Sequence, residues 1–173
     1  MAPADQRDDL FQGAPSGRID GWRDFADRLR AAVAMGTTEA ADWRWCDTDF
    51  SRWPIGDKAV VEALQQGVLT HARTHLTLLA ASFDEVPRQH PRWVAWRFPW
   101  MHRVRCAQTL EEDASRLRPM LVWPGKVGLR LLDSTLGVGV WSTDPATLHG
   151  WQEEFDVILQ RSTEAMPGTT LGL

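Results

Sequence analysis

Between Asp20 and Met35 apolar residues recur every three or four positions. Trp22, Phe25, Ala26, Leu29, Ala32 and Val33 make one stripe, which predicts a helix that Gly36 stops. From Asp42 to Phe50, with Trp43, Trp45 and Cys46, the pattern reads as a strand. A helical period returns over Asp57 to Ala72: Val60, Val61, Leu64, Val68 and Leu69 share a face, and Asp57 stands where a cap belongs. Thr74 to Ala81 is apolar almost throughout, as a strand buried on both faces of a parallel sheet must be. Pro91 opens a short helix that Pro99 closes, and His102 to Thr109 predicts a third strand. Beyond the acidic turn at Glu111 to Asp113, short strands are expected at Met120 to Trp123, Val127 to Asp133 and Gly137 to Thr143. Pro124-Gly125 and Ser134 to Leu136 separate them, which gives a meander. Asp144-Pro145 then caps and opens a last helix whose inner face is Leu148, Trp151, Phe155, Ile158 and Leu159.

This order predicts an α/β domain: a mixed sheet with a βαβαβ portion, a C-terminal meander and flanking helices. Residues 1–17 hold Pro, Gly, Ser and Asp with little periodicity and are expected to be a flexible arm, which leaves 18–173 as a single domain. The 173 residues are 43% hydrophobic and 24% charged, the balance of an ordinary globular protein. No apolar run approaches the ~18 residues that cross a bilayer, so a membrane is not an expected partner. Cys46 and Cys106 lie far apart, which argues for a reducing compartment. The acidic opening MAPADQRDDLFQ resembles no secretory or transit signal, so the expected location is cytoplasmic. The chain has two lysines, no asparagine and no tyrosine, the imprint of a GC-rich genome. Arginine in place of lysine is therefore weak evidence for phosphate recognition.

The order of elements from about Asp42 to Ser162 resembles the half-domain of the phospholipase D superfamily. Segments such as HPRWVAW, His90 to Trp96, and the terminal TTLGL are also similar to proteobacterial proteins of unknown function. The superfamily uses H-x-K-x-x-x-x-D, in which the histidine attacks or protonates phosphate and the lysine steadies its oxygens. The nearest approach here is Lys126; the histidine position is then Pro124 and the aspartate position Leu131. Proline has neither a nucleophile nor a proton to give. The resemblance thus implies the fold without the phosphodiesterase chemistry, and an association role as a homodimer, since such half-domains usually pair.

Two other groups bear on function. From Val86 to Leu110 there is no acidic residue, although the net charge is −4. That stretch holds Arg88, Arg92, Arg97, Arg103 and Arg105 with Trp93, Trp96 and Trp100. Indoles stack on bases and guanidiniums neutralise phosphates, so a nucleic-acid or phosphate-ligand platform is one reading. The spacing i, i+3, i+7 of the indoles equally describes one buried helical face, and Trp with Arg also typifies protein interfaces. Asp47-Thr48-Asp49 resembles the first motif of the haloacid dehalogenase phosphatases, and LTLLAAS, ending at Ser82, resembles their second. That likeness implies a Mg²⁺-dependent phosphohydrolase, but Ser51 departs from the motif and Asp133 stands alone where an acidic pair belongs. His71 and His75 straddle a helix–strand boundary and find no third ligand in the sequence. The expectation is a non-catalytic associating domain without a cofactor. The alternatives are phosphate recognition through 86–110 and Mg²⁺ chemistry at Asp47 and Asp49.

Overall fold

The computed structural model describes residues 8–168. One eight-stranded sheet organises them, in the order β1-β7-β6-β5-β2-β3-β4-β8. Strands β2 (Asp42–Asp47), β3 (His75–Ala80) and β4 (Val104–Gln108) run parallel. Helix α2 (Lys58–Thr70) links the first two; α3 (Val86–Gln89) and α4 (Pro91–Arg97) link the second and third. The expected meander follows as β5 (Met120–Trp123), β6 (Val127–Asp133) and β7 (Val138–Ser142), joined to the parallel part by antiparallel pairing of β5 with β2. The mixed sheet with its βαβαβ portion is therefore as the sequence pattern predicts.

Three details differ from that pattern. The arm expected over 1–17 is structured from Asp8 onward; residues 1–7 lie outside the described ones. A 3₁₀ turn at Asp8–Phe11 seats Phe11 edge-on against Trp141, and β1 (Ser16–Asp20) pairs antiparallel with β7. Asp57 precedes α2 in extended geometry, but its carboxylate makes no cap bond and instead accepts from Arg30 on helix α1 (Trp22–Met35). After the last helix, α5 (Pro145–Leu159), a two-residue strand β8 (Thr163–Glu164) returns to β4; residues 169–173 lie outside the described ones. Asp144 does cap α5, accepting from Thr147 N–H at 2.9 Å, and those bonds hold its carboxyl below the usual carboxylate range.

The two faces of the sheet are covered unequally. On one, Trp43, Trp45, Leu76, Leu78, Val104, Leu121 and Leu129 meet apolar residues of α1, α2 and α4 in the larger core. On the other, α5 alone packs Leu148, Trp151, Phe155 and Ile158 against Cys46, Leu79, Met120 and Val122. Each buried aliphatic or phenyl side chain there contributes roughly 1.5–3 kcal/mol of transfer free energy. Gly128 lets α5 come this close to β6, because a Cβ there would lie 2.7 Å from Leu148 and 2.9 Å from Trp151.

The two edges also differ. At the β4 edge β8 covers only Ala107 and Gln108, and the carbonyl of Val104 points outward with no strand to receive it. The Arg97 side chain fills that place, donating from Nε to Val104 O at 3.1 Å and from Nη1 to Met166 O at 2.7 Å. Strand β1, at the opposite edge, has a partner on one side only among the described residues.

Candidate functional site

The segment 86–110 does not form the platform that its composition suggests. Trp93 and Trp96 are buried in the larger core. Trp96 and Trp100 both donate from Nε1 to Gln65 Oε1 of α2, at 2.9 Å each. Arg97 is buried at the β4 edge. Arg103 donates to the carbonyls of Val68, His71 and Thr74 and lies 5.4 Å from the Trp100 ring. Arg92 donates to Gly56 O, and Arg88 pairs with Glu85. Arg105 is exposed on the α5 side of the sheet, across from α4. Trp96, Trp100 and Arg103 thus gather beside α2, while Trp93 and Arg97 are buried and Arg105 lies on the other face of the sheet, so the eight residues do not form one continuous surface. Three of the five arginines, Arg92, Arg97 and Arg103, are matched to main-chain carbonyls, and Arg103 reaches two at the C-terminal end of α2, where the helix dipole favours positive charge.

The paired aspartates are likewise engaged locally. Asp47 ends β2, is buried, and accepts from Phe50 N–H at 2.8 Å and Asp49 N–H at 3.3 Å. Asp49 accepts from Ser51 N–H at 2.9 Å. These turns set Phe50 at φ 58°, inside the core beside Trp53 and Phe83. Among the described residues no group of three His, Cys, Asp or Glu side chains gathers to hold a metal. His71 Nε2 lies 3.0 Å from Thr37 O, and His75 Nδ1 lies 3.0 Å from Arg73 O, so the two rings do not converge. Burial pushes the thiol of Cys46 up, and that of Cys106 to about 12, as expected of buried structural cysteines.

Burial also raises the carboxyl of Asp47 above its ordinary range, against the lowering effect of its main-chain donors. Between the ordinary value and the raised one, the native state binds the proton more tightly than the unfolded chain. Stability from this group therefore falls as pH climbs through that interval. Asp47→Asn keeps an oxygen for Phe50 N–H and removes the buried charge. It is expected to raise the urea midpoint at pH 7 and to lose that advantage as the pH falls toward 4. A lower midpoint at pH 7 would show that the fold favours the ionised group.

The positions matched to H-x-K-x-x-x-x-D sit elsewhere. Pro124 and Lys126 lie in the β5–β6 turn, and Met120 pairs with Cys46, so this turn is at the end of the sheet opposite Asp47. Lys126 pairs with Glu39 at 2.8 Å, Leu131 is buried, and Asp133 accepts from Thr135 and Leu136 N–H.

What the structure leaves open is the outer face of β7 and β1 and of the Leu132 end of β6. A cleft of about 750 Å³ lies there, lined by Arg18, Leu132, Val138, Val140, Thr147 and Trp151. A register shift between Leu131 and Asp133 frees Leu132, which is 70% exposed; Leu136, in the following turn, is 62% exposed. Arg18 and Asp20 project from β1 and form an exposed ion pair. Sequence reading missed this edge. Its signal was the polar–apolar–polar run Arg18-Ile19-Asp20 between Pro15 and Gly21. A second cleft, of about 900 Å³ beside α5, holds Arg130, paired with Glu154 at 2.9 Å, Arg116, paired with Asp113 at 3.0 Å, and Arg118, which donates to the carbonyls of Ser115 and Leu117.

No protein-family model matches the chain, and no curated protein matches it. Solved structures do. TrmBL2, described as an archaeal chromatin protein with a novel mode of DNA binding, superposes with a TM-score of 0.59 at 12% identity, over 93% of this chain and 58% of that one. This chain thus spans under two thirds of that protein's length. NucT from Helicobacter pylori superposes with a TM-score of 0.52 at 6% identity, over 87% of this chain and 98% of that one. Nuc from Salmonella typhimurium, a phospholipase D family member, gives 0.49 at 7% identity, over 80% and 91%. At such identities the likeness is one of fold alone: the chain shares its mixed α/β architecture with TrmBL2 and NucT.

Proposed function

We propose that this domain works by association, with a second copy of the chain as its partner, and not by catalysis. The observation that carries the reading is the unequal cover of the sheet. Three helices guard one face, whereas α5 leaves the Leu132 end of β6, with β7 and β1, open, and Leu132 stands in solvent. An open apolar area rimmed by polar groups is the usual mark of an interaction surface. Arg18 and Asp20 give the rim both signs of charge, which suits a copy of itself better than a partner of one sign. Pro124 and Leu131 in place of a catalytic histidine and aspartate, and main-chain donors on both Asp47 and Asp49, support a role without chemistry. Light scattering of the purified protein is expected to give twice the chain mass at micromolar concentration. A single-chain mass up to the highest soluble concentration overturns the reading.

A further inference from the structure

We infer that two copies meet edge to edge along β1, antiparallel about a two-fold axis through Ile19. This rests on the association reading and names where the contact forms. The main chain of β1 sets the geometry. Thr143 N–H donates to Pro15 O, and in an antiparallel ladder such bonded pairs alternate. Gly17 and Ile19 therefore face β7, and the N–H and C=O groups of Ser16 and Arg18, with the C=O of Asp20, point away from the sheet. Only Asp20 N–H, among the outward groups of the described residues, has a partner: Asp24 Oδ2 at 2.9 Å. Bare outward groups on an end strand are a template for another strand. The contrast with the β4 edge is direct, since β8 and the Arg97 side chain close that one.

Charge selects the register. With Ile19 opposite its own copy, each Arg18 stands across from the other copy's Asp20, twice by symmetry, and each Arg18 N–H donates to the opposite Asp20 carbonyl. Shifting the axis to Arg18 sets like charges face to face, which is unfavourable; shifting it to Gly17 sets Arg18 against Ser16 and gains nothing from charge. The chosen register also brings exposed Leu136 and half-buried Trp22 beside the axis. The carbonyl of Leu136 is 3.6 Å from where a Cβ on Gly21 would be, and Trp22 Nε1 donates to Thr135 O.

Arg18→Pro tests the edge. It removes an outward N–H and no bond to β7, and proline is tolerated on an edge strand. The expected result is a single-chain mass with an unchanged circular dichroism spectrum. Arg18→Asp is expected to weaken the dimer by about tenfold or more, and Arg18→Asp with Asp20→Arg to restore it, because the swap re-creates the pairing with signs reversed. The charge variants decide the matter should the proline variant fail to fold. If the wild type is itself a monomer, the association reading falls and takes this one with it. If the wild type is a dimer and both Arg18 variants remain dimers, the edge contact is wrong while association stands, and Leu132→Glu should then break the dimer through the open face.

Discussion

Trp93→Ala is expected to lower the unfolding free energy by about 3–5 kcal/mol, the usual cost of removing a buried indole. Domains of this size hold only about 5–15 kcal/mol in total, so the variant should be near the margin of folding. Trp93 is fully enclosed, its ring centroid is 6.4 Å from that of Trp96, and its Nε1 has no hydrogen-bond partner among the described residues. The loss is therefore one of packing, with no hydrogen bond to confuse it. Urea unfolding followed by far-ultraviolet circular dichroism measures it. Phe98→Ala, five residues on and 56% exposed, should stay within about 0.5 kcal/mol of wild type. A ligand platform predicts the reverse for Trp93: little change in stability and a loss of binding.

Arg97→Met is expected to cost about 2–4 kcal/mol, because it keeps the stem and removes both charge-assisted bonds. The carbonyl of Val104 is then left without a donor, and Met166 loses its tie to the sheet. Hydrogen exchange at Ala165 N–H, which donates to Cys106 O beside that tie, should accelerate more than exchange in α2. Arg97→Lys should recover only part of the loss, since one ammonium cannot reproduce a planar fork to two acceptors. Wild-type stability in Arg97→Met would mean that the guanidinium is free for a ligand.

Much of this fold is legible in the sequence because its strands and helices carry strong local periods. Thr74 to Ala81 reads as a buried strand, and β3 forms there with Leu76, Leu78, Leu79 and Ala80 buried, while Pro124-Gly125 and Asp144-Pro145 mark their turns chemically. The edge strand β1 is not legible in the same way. It is five residues long, it has one inward apolar side chain, Ile19, and its partner β7 lies more than a hundred residues away. The open face was equally hidden, since it depends on α5 being the one α-helix among the described residues that packs on its side of the sheet, a fact of topology. The surroundings of segment 86–110 were not legible for another reason. Its composition reports cations and indoles but not their acceptors, and here those are the carbonyls of Val68, His71, Thr74, Val104 and Met166 with the side chain of Gln65.

The tryptophan-rich interior has an optical consequence. The chain has ten tryptophans and no tyrosine, and eight of the ten are buried. Its near-ultraviolet fluorescence therefore comes from indole alone, and the native emission is dominated by rings shielded from water. The indole N–H groups of Trp45, Trp53 and Trp93 have no partner among the described residues, so relaxation of the surroundings shifts their emission little toward the red. Unfolding then hydrates them together, and the colour of the light reports the state of the core with no dye attached.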